Sequence, residues 1–136
     1  MPSTPRARAT LAAVSFVALC AVAVTAARAA SVLDFDVWMR SIDKHSVDVQ
    51  KNIEARKPEA AVADARELTR LYGLMETYFV DDGHTADAVE MSRSGKAFAA
   101  AIEPALAAKD YDAAAKAAVD LSHACNDCHD VHKPFQ

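Results

Sequence analysis

Residues 110–134 read DYDAAAKAAVDLSHACNDCHDVHKP. Within them Tyr111, Ala114, Ala118, Leu121, Cys125, Cys128 and His132 follow one another by steps of three and four. Steps of three and four place side chains on one face of an α-helix, whereas a strand requires a period of two. The spacing predicts a helix from about Asp110 to His132, closed by Pro134, which cannot continue it. Its inward face begins as small and apolar residues and ends in two cysteines and a histidine.

The same stepping recurs three times upstream. Val32, Phe35, Met39, Ile42, Ser46, Val49 and Ile53 form a first stripe, predicting a helix over about 31–56, in which only Ser46 is polar. Pro58 suits the first turn of a second helix, 58–80, with Ala61, Ala65, Leu68, Tyr72, Met75 and Phe79 inward. DDGH at 81–84 ends it, Gly83 serving the turn. A third helix over 85–108 carries Ala88, Met91, Gly95, Phe98, Ile102 and Ala105, and Pro104 is expected to kink it or end it early. Four long helices with short connections imply an all-α fold, an antiparallel up-down-up-down four-helix bundle.

Residues 1–29 stand apart from this pattern. A basic start (Arg6, Arg8), an apolar run from Leu11 to about Ala26, and Ala27-Arg28-Ala29 give the layout of a secretory signal peptide, cleaved to leave a mature domain of residues 30–136. The apolar run is short for a membrane span, which needs about 20 residues, so no stable membrane insertion is expected after cleavage. Cys20 lies inside the leader, and Leu19 before it is too large for a lipoprotein site. The whole chain has 15 Lys+Arg against 19 Asp+Glu. Cleavage removes three of the arginines and no acid, leaving 12 against 19, a net charge of −7. That balance argues against nucleic acid, whose phosphates call for a basic face. It is compatible with a basic protein partner.

Export leaves two of the three cysteines, Cys125 and Cys128. Cys125-Asn126-Asp127-Cys128-His129 fits C-x-x-C-H, the attachment pattern of a c-type haem. Two thiols about one helical turn apart can add to the two vinyl groups of one haem, and the histidine that follows can reach the iron as the proximal ligand. Such attachment requires export, and the leader supplies it. Other uses of the pair stay open. A thioredoxin-like redox pair expects a strand-turn-helix setting. A zinc site drawing on His123, His129 or His132 needs ligands that converge, and these project in different directions from one helix. A plain disulfide is the remaining alternative.

With AIEPALAAKDYDAAAKAAVDLSHAC followed by CNDCHDVHK at the end of a helical bundle, the mature chain resembles the class II c-type cytochromes, the cytochrome c-prime and cytochrome c-556 group. The non-covalent cytochrome b-562 has a similar bundle. Members of the group commonly place an aromatic and then a basic residue after the motif. Here His132 and Lys133 hold those places, and His132 departs from the pattern.

The other face of the iron separates the functions the resemblance allows. If the first and fourth helices are antiparallel neighbours, Met39, tenth in the mature chain, and His129, eighth from the C-terminus, lie at matching depth, both roughly 10–15 Å from their chain ends. Met39 is also on the inward stripe. An ordinary core methionine would look the same, but the resemblance to the low-spin c-556 type and to b-562 implies a methionine ligand at this place. Met75, Met91 and His84 are further candidates at the same end. His45, off the stripe, is expected at the surface. Trp38, Tyr78 and Phe79 could line the haem edge or be core, and Arg40 and Lys133 could pair with propionates or be solvated. Ala114 and Ala118 suggest close helix approach.

The expectation is therefore a periplasmic electron carrier, not an enzyme, with one haem c on Cys125 and Cys128 and axial His129 and Met39. Its partners would be redox proteins. The alternative is a high-spin c-prime-like protein binding nitric oxide or carbon monoxide at an open sixth site. Members of the group often form homodimers through the first two helices, although Asp36 and Asp43 put acid on the first helix of this chain.

Overall fold

A computed structural model describes residues 29–83 and 86–132. Among these the chain forms four α-helices that pack together, and no strand: α1 Val32–Glu54, α2 Pro58–Asp81, α3 Ala86–Ala107 and α4 Tyr111–Val131. Residues 1–28, which hold most of the expected leader and Cys20, lie outside the described residues, as do His84, Lys133 and Pro134. None of the described helices is long and apolar enough to cross a membrane.

Each helix is bounded by local chemistry. Ser31 caps α1: its hydroxyl accepts from the Asp34 amide at 3.2 Å, and the Asp34 carboxylate accepts from the Ser31 amide at 2.8 Å. This reciprocal pair satisfies two of the amides a helix start leaves unpaired. Pro58 opens α2, where its missing N–H is not needed. Asp110 caps α4 by accepting from the Ala113 amide at 2.9 Å.

Two of the turns have no glycine. After α1, Arg56 adopts φ 56°, and after α3, Lys109 adopts φ 58°. Arg56 N–H donates to Ile53 and Lys57 N–H to Asn52, closing a Schellman pair; Lys109 to Leu106 and Asp110 to Ala105 repeat it. The Arg56 guanidinium lies 4.1 Å from the Tyr111 ring centre, so the left-handed residue at the first turn also ties α1 to the start of α4.

Contacts between helices join particular ends. Phe35, early in α1, stacks on Tyr78 at 5.0 Å and meets Phe79 edge-on at 5.4 Å, both late in α2. Arg66, early in α2, pairs with Glu103, late in α3, while Glu76, late in α2, takes Arg93 and Lys96, early in α3. His132, at the end of α4, reaches Asp87, at the start of α3. Between these ties Val49, Leu68, Leu71, Ser92, Ile102 and Leu121 are fully enclosed. The loosest pairing is α1 with α4.

The structure corrects three readings of the stripes. Val32 is 71% exposed, so the buried part of α1 begins lower, at Ile42. In α3 the buried line is Ala88, Ser92, Gly95, Ala99, Ile102 and Leu106, and Met91, Phe98 and Ala105 are only half-buried flanks. The period is the expected one, but its centre falls on small residues, because α3 packs closely on both α2 and α4. Pro104 does not end the helix early: α3 runs on through it to Ala107. The proline sits in the last turn, exposed, so the single amide it lacks is lost where the ladder is about to end.

Candidate functional site

The last two turns of α4 bring Cys125, Cys128 and His129 to one narrow cleft, and every helix supplies a wall. Met39 and Ile42 come from α1, Tyr72 and Met75 from α2, Met91 and Ser92 from α3, and Ala124 from α4 beside the cysteines. The two thiols, the imidazole and the Met39 thioether therefore line the same narrow space, of about 20 Å³. Met75 and Met91, the other methionine candidates, line it too. Both thiols are free and half-buried. Burial, then the neighbouring Cys125 and Asp87, pushes the Cys128 thiol above its ordinary value, so it stays protonated at neutral pH.

By its spacing Tyr72 is a core residue of α2. It is 5% exposed, yet its hydroxyl reaches the cleft, where Oη lies 3.0 Å from Cys125 Sγ. Burial first, and then Cys125, hold its phenol well above the usual tyrosine range, so it is a neutral hydroxyl at any ordinary pH. The signal that could have found it is Gly95, one of only three glycines, which stands where the Tyr72 ring crosses α3.

The remaining candidates are distributed elsewhere. Trp38, Tyr78 and Phe79 join Phe35 in an aromatic cluster between α1 and α2. None of them lines the cysteine cleft. Arg40 is exposed and pairs with Asp36. His132 binds Asp87 Oδ2 at 3.0 Å, holding the end of α4 against α3. His123 faces a separate groove with Asp120 and Asp127. His45 is not a surface residue: it is half-buried, with Nδ1 2.7 Å from Asp64 Oδ1. Asn52 donates to the other Asp64 oxygen at 2.8 Å. A buried carboxylate is costly without partners, and Asp64 recruits two from α1, drawing His45 inward. Ala114 and Ala118 are both buried, as close helix approach demands.

Among the described residues no three His, Cys, Asp or Glu side chains converge into a metal-holding group. A zinc centre would need such a set. A haem iron does not, since the porphyrin brings four nitrogens and the protein supplies only the axial ligands. The donor set suits that group: two thiols, one imidazole and one thioether, in a cleft otherwise lined mainly by apolar side chains. The cleft is far narrower than a haem, so the group would have to part its walls, three of which are methionines with unbranched chains that rearrange readily.

The chain matches no protein-family model, no curated protein and no solved structure.

Proposed function

We propose that the chain is an electron-carrying c-type cytochrome of the class II kind, holding one haem c in the cleft between the four helices. The observation that carries this reading is that Cys125, Cys128, His129 and Met39 line one cleft. In this reading Cys125 and Cys128 form the thioether links, His129 is the proximal ligand and Met39 the sixth. When bound, the haem supplies a one-electron ferric–ferrous couple, and methionine ligation raises its potential relative to a second nitrogen ligand. The chain's own part is to orient and to exclude water. Cys125 and Cys128 would fix the group to α4, Met39 would offer it a sulfur ligand from α1, and Ile42, Met75 and Met91 would keep the surroundings apolar.

The finer architecture belongs to the same proposal. The joining of early to late helix ends supports an antiparallel up-down-up-down order. Residues 1–29 act as a cleaved leader, residues 30–136 form the cytochrome domain, and the protein works in the periplasm with redox proteins as partners. It catalyses no reaction of its own.

Optical spectra of the mature protein, exported with haem-attachment machinery, test the reading. Wild type and Met39→Ala are compared in ferric and ferrous forms, with and without carbon monoxide. A low-spin wild type with a far-red sulfur-to-iron band, absent from the variant and indifferent to carbon monoxide, is the expected result. A high-spin wild type that binds carbon monoxide and is unaltered by the substitution would overturn Met39 as ligand and point to a c-prime-like gas-binding protein. A chain that emerges without haem would overturn the whole reading.

A further inference from the structure

We propose that Tyr72 is a positioning residue for the Cys125 sulfur, and that its hydroxyl tunes the group this sulfur carries; the second half rests on the haem reading above. Three observations converge. Tyr72 Oη is 3.0 Å from Cys125 Sγ, across from α2 to α4. The hydroxyl lines the same cleft as Cys128, His129 and Met39. The ring is held in that direction by α3, where Gly95 presents bare backbone: a Cβ there would fall 2.6 Å from Tyr72 Cζ and 2.8 Å from Cδ1. Gly95 lies in a helix interior, where glycine is unfavourable. It leaves the space the ring needs.

In the thiol form either atom of the Tyr72–Cys125 pair can donate. Once the sulfur bears carbon in place of hydrogen, only the phenol can, and a thioether is a weak acceptor. The phenol then directs the positive end of its O–H dipole at a sulfur bonded to the macrocycle. That dipole favours the electron-richer, reduced state. Before attachment the same bond holds Cys125 toward the cleft and limits its swing to solvent. Cys128 has no such tie to Tyr72, so the two cysteines are inequivalent.

The test uses the full mature chain as wild type, Tyr72→Phe and, as a control, Tyr78→Phe, a buried tyrosine of the same helix outside the cleft. Phenylalanine keeps the ring and removes only the hydroxyl. Haem-free chain of verified helicity is labelled with limiting uncharged maleimide at neutral pH, and peptide mapping gives the Cys125 to Cys128 labelling ratio. The ratio is expected to rise about fivefold in Tyr72→Phe, the population held by one hydrogen bond of ordinary net strength, and to stay constant in Tyr78→Phe. An unchanged ratio in Tyr72→Phe overturns the positioning role. In haem-loaded protein, Tyr72→Phe is expected to shift the reduction potential downward with the optical spectrum retained. An unmoved potential overturns the tuning role. A wild type that takes up no haem overturns the proposed function, while the labelling ratio still decides the role of Tyr72 in the bare chain.

Discussion

Gly95 and Tyr72 occupy one space. The ring of Tyr72 lies so close to the α3 backbone that a methyl group on Gly95 would overlap it. Gly73, also inside a helix, has nothing near its missing Cβ. The two glycines therefore make opposite predictions. Gly95→Ala should cost about 1–3 kcal/mol, the usual penalty for overpacking a tight interior. Gly73→Ala should gain about 0.5–1 kcal/mol, since alanine restricts the unfolded chain and favours helix. Urea denaturation of both variants checks this, and equal effects would refute the close packing of Tyr72 on α3.

The left-handed turns give a second prediction. Lys109 sits at φ 58° with no compensating ring contact, whereas Arg56 at φ 56° covers Tyr111. Left-handed backbone costs an ordinary residue roughly 1–2 kcal/mol that glycine largely escapes. Lys109→Gly should therefore raise the melting temperature. Arg56→Gly should gain less, because it also loses a cation–ring contact of about 0.5–1 kcal/mol. A larger gain at position 56 than at 109 would mean that the guanidinium contact contributes nothing.

Alkaline pH supplies a third. The folded state holds the Tyr72 phenol neutral, chiefly by burial, while the unfolded chain ionises it near the ordinary value of roughly 10. The folded pKa is raised, so its contribution to stability is complete below that value and is lost as pH rises beyond it. The urea midpoint of the wild type should fall between about pH 9 and about pH 11 more steeply than that of Tyr72→Phe. Parallel curves would show that the phenol ionises freely in the folded chain.

The proposed haem attachment yields a fourth. Cys125→Ser and Cys128→Ser should each leave the group held by one remaining link, and the double variant should surrender it to acid–acetone extraction. His129→Ala should lose the low-spin spectrum even where attachment persists. Retention of covalent haem in the double variant would exclude the two cysteines as its anchors.

The helices were legible because steps of three and four have few other meanings. Ser31 with Asp34, Pro58 and Asp110 mark boundaries that the structure places within a residue or two. Less legible was the rotation of α3, where several adjacent lines are small or apolar and only close packing on two neighbours selects Ser92 and Ala99 over Met91 and Phe98. The turns at Arg56 and Lys109 carry no glycine, so nothing local announced their geometry. His45 looked like a surface residue because its partner, Asp64, lies on another helix. Of the candidate site, the Cys125–Cys128–His129 run stands out by its spacing, whereas Met39 looks like an ordinary core methionine on its stripe and is singled out only by its depth beside an expected haem and by the family resemblance. Tyr72 was hidden, since a tyrosine on an apolar face declares only its bulk and not where its hydroxyl ends.

Met39 and His129 are 90 positions apart in the chain, and they line one cleft from α1 and α4, the helix pair that packs most loosely. Whatever is gripped from both sides there acts as a staple across a very long loop, and forming such a loop is what an unfolded chain finds entropically hard. Occupancy and folding are then thermodynamically linked. With the proposed haem tied to α4 through Cys125 and Cys128, parting α1 from α4 would cost the Met39 bond alone, and the group would stay with α4.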